Sequence, residues 1–172
     1  MAGFKGFLAT TAGRFVVRYV LILTVFFIIV ALRPVNDHVV NPYTTFVAHE
    51  AKVVLNLLGE GASVQGQRLS SRRFSVMIYN GCNGLEAILI FASGVLAFPA
   101  LVKRKLAGLI LGFLAIQVAN IIRVVSLFYV GIFRPAWFAA SHVFVWQSLI
   151  ILLGVVLWLL WVNRYALAPA RQ

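Results

Sequence analysis

Cys82, Arg123 and His142 stand out as reactive side chains in an otherwise apolar chain. Cys82 is the only cysteine and lies in Tyr79-Asn80-Gly81-Cys82-Asn83-Gly84-Leu85-Glu86, where a polar segment gives way to an apolar run of membrane length. A thiolate can attack a carbonyl, an imidazole can move the protons, and a guanidinium can steady the thiolate or a developing oxyanion. At the first turn of a helix, free N–H groups and the dipole would favour the thiolate. Gly81 and Gly84 would leave the sulfur open to another backbone. Asn80 and Asn83 are candidates to cap that helix or to donate to an oxyanion. Glu86, four residues after Cys82, is a candidate partner for Arg123, although alone it would oppose thiolate formation. Asn120 sits one turn before Arg123 on the same helix face.

Each residue also has a plainer reading. An isolated cysteine at a loop-to-helix junction is commonly buried and inert. Arg123 can be a structural partner of Glu86, and His142 an interfacial histidine. His38 and His49 fall in a polar loop and read as solvated. What favours chemistry is depth. Arg123 lies 17 steps beyond Leu106, about 25 Å along a helix, near the far edge of a membrane core. An unpaired arginine inside a span costs roughly 2.5–3.5 kcal/mol on insertion scales. His142 opens the apolar part of the last helix from that same surface, and Cys82 opens the second span from it.

The elements that must deliver these groups are membrane helices. The chain has 172 residues, 62% of them hydrophobic, and a mean hydropathy of +0.98. A water-soluble domain of that size has too little core to hide so much apolar surface. We therefore expect an all-α integral membrane protein with four transmembrane helices and a small periplasmic cap, an amphipathic helix plus a β-hairpin. Residues 1–172 form a single membrane domain, with 33–81 inserted as the cap. Residues 1–13 read as disordered or interfacial. The first span runs from Phe15 to Leu32, retained because no small-x-small cleavage site follows before Pro34. Arg33 to Asp37 is a break. Phe46–Leu58 reads as an amphipathic helix along the interface, with Phe46, Val47, Val53, Val54, Leu57 and Leu58 on its apolar face. Ala62–Leu69 and Arg72–Tyr79, joined at Ser70-Ser71, read as the hairpin. The remaining spans are Leu85–Val102, Leu106–Val130 and Trp137–Val162, with Trp137, Trp146, Trp158 and Trp161 as interface and packing residues.

Charge sets the orientation and excludes a class. The net charge is +11, but the basic residues flank apolar runs and form no single basic face, so nucleic acid is not a partner. Membrane lipid is one, through anionic headgroups. Lys5, Arg14, Arg18, Lys103, Arg104, Lys105, Arg164 and Arg171 fall on one side without an acid. The other side carries Arg33, Lys52, Arg68, Arg72, Arg73 and Arg134 along a longer loop with Asp37, Glu50 and Glu60. The denser side should be cytoplasmic, which puts both termini inside. One cysteine excludes an intramolecular disulfide and a multi-cysteine metal site. No cofactor or metal is expected, and no serine elbow, phosphate loop or H-E-x-x-H is present.

Asn80-Gly81-Cys82-Asn83-Gly84-Leu85-Glu86, then Asn120-Ile121-Ile122-Arg123, then His142, resemble the exosortase/archaeosortase family, most of all its H type. Asn83 stands where the common family form has serine, and the chain lacks the extra spans of larger members. The resemblance implies a bacterial inner-membrane cysteine protease or transpeptidase. Its partners would be exported proteins ending in a C-terminal sorting signal: a short motif, a transmembrane helix and a basic tail. For the H type the motif is IPTLxxWG-like. By position, Cys82 is the nucleophile, Arg123 the stabiliser and His142 the acid/base. Two other classes fit the residues without the resemblance. One is a non-enzymatic membrane scaffold, the other a cysteine acyltransferase acting on lipid.

Overall fold

The computed structural model describes residues 10–166. The reading of residues 1–13 falls within this range only from Thr10 onward, and Lys5 and Arg171 lie outside the described residues. Helix α1 (Thr11–Ala31) starts with Thr10 Oγ1 accepting from Gly13 N at 2.9 Å. It must stop before Pro34, whose ring would clash with a carbonyl one turn back and which offers no N–H. Leu32 takes an extended conformation, and helix resumes at once from Arg33. The break expected over 33–37 is thus a single residue. Residues 33–40 run on in helical form, with a π-type turn at Asn36–Val40, into α2 (Asn41–Leu57).

Helix α2 starts five residues earlier than expected and packs with a face that shares only Val47 and Val54 with the expected one. Val47, Ala48, Ala51 and Leu55 are fully buried, whereas Phe46, Val53, Leu57 and Leu58 are more than half exposed. Small side chains decide this. Ala48 and Ala51 let α2 approach Val124, Val125 and Phe128 closely, so shape complementarity outweighs raw hydrophobicity. The expected hairpin is also corrected. Its first stretch folds back on itself at Gly66-Gln67, giving three short antiparallel strands in the order β1 (Ser63–Gln65), β2 (Arg68–Ser70), β3 (Ser75–Met77). Leu69 of the central strand is fully buried in the same core as α2.

Helix α3 (Leu85–Ala97) has 13 residues where a membrane-length span was expected. The residue before a proline is driven out of helical geometry, and Phe98, before Pro99, is extended. Lys105 Nζ donates to the freed carbonyl of Leu96 at 2.7 Å. Helix α4 (Val102–Phe133) is the mast of the molecule, 32 residues and about 48 Å long. It overshoots a ~30 Å hydrocarbon core. On its far portion pack α2 and the sheet, with Phe74 edge-on to Phe128 at 5.4 Å. After a turn at Arg134, the last rod runs helically from Pro135 to Ala166 and contains α5 (Gln147–Trp161). Its far end inserts Trp158 and Trp161 among Phe15 and Phe98. Among the described residues, α1, α4 and the last rod are long and apolar enough to cross a membrane; α3 by itself is not.

Candidate active site

The cysteine loop is built by short-range geometry. Cys82 N donates to Tyr79 O at 2.9 Å, closing a turn with Gly81 at φ +92°. Asn83 is fully buried: its Oδ1 accepts from Leu85 N at 3.1 Å and its Nδ2 donates to Thr44 Oγ1 at 2.8 Å. It thus tethers the start of α3 to α2, while Asn80 is exposed beside a groove of about 220 Å³ that also includes Gly81 and Glu86. Gly84, at φ +79°, is the residue before the helix, and a Cβ there would lie 2.9 Å from Asn120 Cγ. Its smallness serves packing against α4 and not access to the sulfur.

Helices α3 and α4 and the last rod bring the three reactive groups together. Cys82 Sγ is in hydrogen-bond contact with His142 Nε2. Arg123 Nη2 lies 3.8 Å from that sulfur and 3.5 Å from the same imidazole nitrogen. Both neighbours of Nε2 are donors, so Nε2 is the accepting nitrogen and the ring proton belongs on Nδ1. Phe138, one turn before His142, lies nearly parallel to the imidazole at 6.3 Å. On its other side the sulfur meets an apolar wall of Val76, Ile78, Val124, Leu127 and Phe128. Such surroundings strengthen every charge interaction inside.

They also reverse one expectation. Cys82 precedes the helix by three residues instead of sitting in its first turn. Burial pushes its thiol pKa up; the nearby Arg123 guanidinium pulls it down and the Glu86 carboxylate pushes it up again, with the rise prevailing. The resting sulfur is therefore a thiol poised on an accepting imidazole.

Glu86 does not meet Arg123 directly. Among the described residues the ion pair is Arg73 with Glu60, at 3.1 Å. Between Glu86 and Arg123 stands Gln147, a residue with no place in the sequence reading. Arg123 Nη2 donates to Gln147 Oε1 at 2.9 Å, and Gln147 Nε2 donates to Glu86 Oε2 at 2.8 Å. In a regular α-helix residues five apart point about 140° away from one another. Here the rod makes a π-type turn over Ser141–Trp146, with Gln147 N donating to His142 O. The wider turn brings both side chains toward one site. That irregularity was not readable in the run Val143-Phe144-Val145-Trp146.

Asn120 is fully buried against Gly84 and makes none of these contacts. Its amide nitrogen and oxygen, and Nε and Nη1 of Arg123, are buried without a hydrogen-bond partner among the described residues. His38 and His49 lie away from the site: His38 Nδ1 pairs with Pro34 O at 2.9 Å, and His49 is exposed. Among the described residues no group of three metal-ligating side chains assembles.

The arrangement suits acyl transfer from a carbonyl to sulfur, with one base and one fixed positive charge. A family model, transmembrane exosortase, matches residues 1–161. No curated protein and no solved structure matches the chain.

Proposed function

The chain belongs to the transmembrane exosortase family, and from that premise we propose that it is a membrane-embedded cysteine peptidase and transpeptidase. Its substrates are exported proteins with C-terminal sorting signals, of the IPTLxxWG type that the H-type resemblance implies. The observation that carries this reading is the contact of one sulfur with an accepting imidazole, under a guanidinium that reaches both.

In the proposed reaction the signal's transmembrane helix docks laterally and presents its motif at the outer surface of a bacterial inner membrane. His142 takes the thiol proton as Sγ bonds to the peptide carbonyl carbon. Arg123 stabilises the oxyanion. The C–N bond breaks, His142 delivers the proton to the leaving amine, and a thioester remains on Cys82. An amine or water then attacks the thioester and the thiol is regenerated. The topology that goes with this has four crossings, both termini in the cytoplasm and residues 33–81 as a periplasmic cap. Glu86 and Asn83 support the constellation from α3. Asn120 abuts Gly84 from α4, and Asn80 lies beside the groove. No cofactor takes part.

The test is co-expression of a substrate with Cys82→Ala, Arg123→Ala and His142→Ala variants, followed on gels for the shortened product. Loss of product with all three is expected. Unchanged processing by Cys82→Ala overturns the proposal.

A further inference from the structure

Gln147 lies on a three-residue path that the reaction above does not use. Its amide has only one workable orientation. A guanidinium only donates, so the atom facing Arg123 must be the oxygen. An ionised carboxylate only accepts, so the atom facing Glu86 must be the nitrogen. Oxygen and nitrogen sit accordingly, at 2.9 and 2.8 Å. Arg123 is fully buried, and the Nη2 that meets Gln147 is the nitrogen that reaches both the sulfur and the imidazole. In buried surroundings a guanidinium and a carboxylate within reach of each other would normally close into a direct pair.

We propose that Gln147 is a positioning residue that holds Arg123 and Glu86 apart, so that the guanidinium charge stays directed at Cys82 and the substrate oxyanion. This rests on the reading of Cys82 as nucleophile and deepens it. The amide satisfies both ions with hydrogen bonds while contributing no charge. Without it, Arg123 could turn to Glu86, and the site would lose its positive pole without losing a charged residue. Among the described residues, the charged or titratable groups facing the sulfur are Arg123 from α4, His142 from the last rod and Glu86 from α3.

The experiment exploits the single cysteine. Full-length protein in nanodiscs is alkylated with iodoacetamide across pH, and the rate reports Cys82 alone. The informative variant is the exchange Glu86→Gln with Gln147→Glu. It keeps composition, net charge and both hydrogen bonds, but sets the carboxylate directly on Arg123. Alkylation at neutral pH is expected to fall about tenfold, one unit of thiol pKa, and processing of a co-expressed substrate to fall with it. Gln147→Leu should lower processing as well, whereas Glu86→Gln alone should speed alkylation. An exchange variant with the wild-type alkylation profile and processing overturns the inference. That result would leave the catalytic reading intact, because only retained processing by Cys82→Ala defeats the latter. Thermal melts in detergent screen for misfolding. A destabilised exchange variant is replaced by Gln147→Glu alone, for which slowed alkylation is expected and an unshifted profile is the overturning result.

Discussion

At the residue scale, the environment of Cys82 opposes the reactivity that its sequence position suggests. Burial favours the neutral thiol, Arg123 works against that, and Glu86 works with it. Because the folded-state pKa is raised, the stability this group contributes is full below the ordinary thiol range and is lost as pH rises through the folded value. The expected outcome is slow alkylation of the folded protein at neutral pH relative to the denatured chain, with the profile displaced to higher pH. Arg123→Gln should displace it further. Alkylation as fast as in the denatured chain would contradict the burial argument. Asn120 makes the opposite kind of prediction. Both ends of its amide are buried without partners among the described residues, and each such group costs about 1–3 kcal/mol. Asn120→Leu, close in shape and free of polar atoms, should leave the melting temperature unchanged or raise it. Cys82, Arg123 and His142 were legible because each is rare in apolar sequence. Gln147 was not, since a five-residue spacing joins side chains only on a widened turn.

At the scale of elements, the site depends on how closely α3 meets α4. Gly84 has φ +79° and lies against Asn120. A side chain in the left-handed region costs about 1–2 kcal/mol. The added Cβ would also stand 2.9 Å from Asn120 Cγ. Gly84→Ala should therefore lower the melting temperature and, by moving the loop that carries Cys82, reduce processing. The two costs separate in a double-mutant cycle. Asn120→Ala removes the 2.9 Å contact with Cγ, keeps its own Cβ 3.1 Å away and leaves the backbone strain, so Gly84→Ala should be milder in that background; equal costs in both would rule out a steric part from the Asn120 amide. Element type was readable where periodicity was strong, as in α1 and α4. The packed face of α2 was not, because the residues it buries, Val47, Ala48, Ala51 and Leu55, are on average less hydrophobic than Phe46, Val53, Leu57 and Leu58, which it exposes. The turn at Gly66-Gln67 was missed because a single glycine suffices to reverse strands only three residues long.

At the scale of the whole molecule, the question is whether the chain crosses the membrane at α3. Thirteen helical residues give about 20 Å, short of a ~30 Å core. The four residues 98–101 that follow have extended ends at Phe98 and Leu101, and extended chain adds about 3.3 Å per residue. Together they reach about 33 Å, enough to set Arg72 and Lys103 on opposite surfaces. Backbone outside helices cannot face lipid without partners. Lys105 meets part of that need at Leu96 O, and its ammonium belongs at the headgroups. A crossing therefore requires residues 98–101 to enter the cytoplasmic side of the core shielded by protein, and Phe98 is packed there against Phe15, Trp158 and Trp161. Replacing Cys82 by Ser gives a cysteine-free chain, into which Arg72→Cys or Lys103→Cys is introduced singly. In intact spheroplasts a membrane-impermeant maleimide should label the Arg72→Cys protein. It should reach the Lys103→Cys protein only after permeabilisation. The inverse pattern would turn the molecule over, carrying Cys82, Arg123 and His142 together to the cytoplasmic face. Labelling of both from outside would make α3 a re-entrant segment and reduce the crossings to an odd number, with the termini on opposite sides.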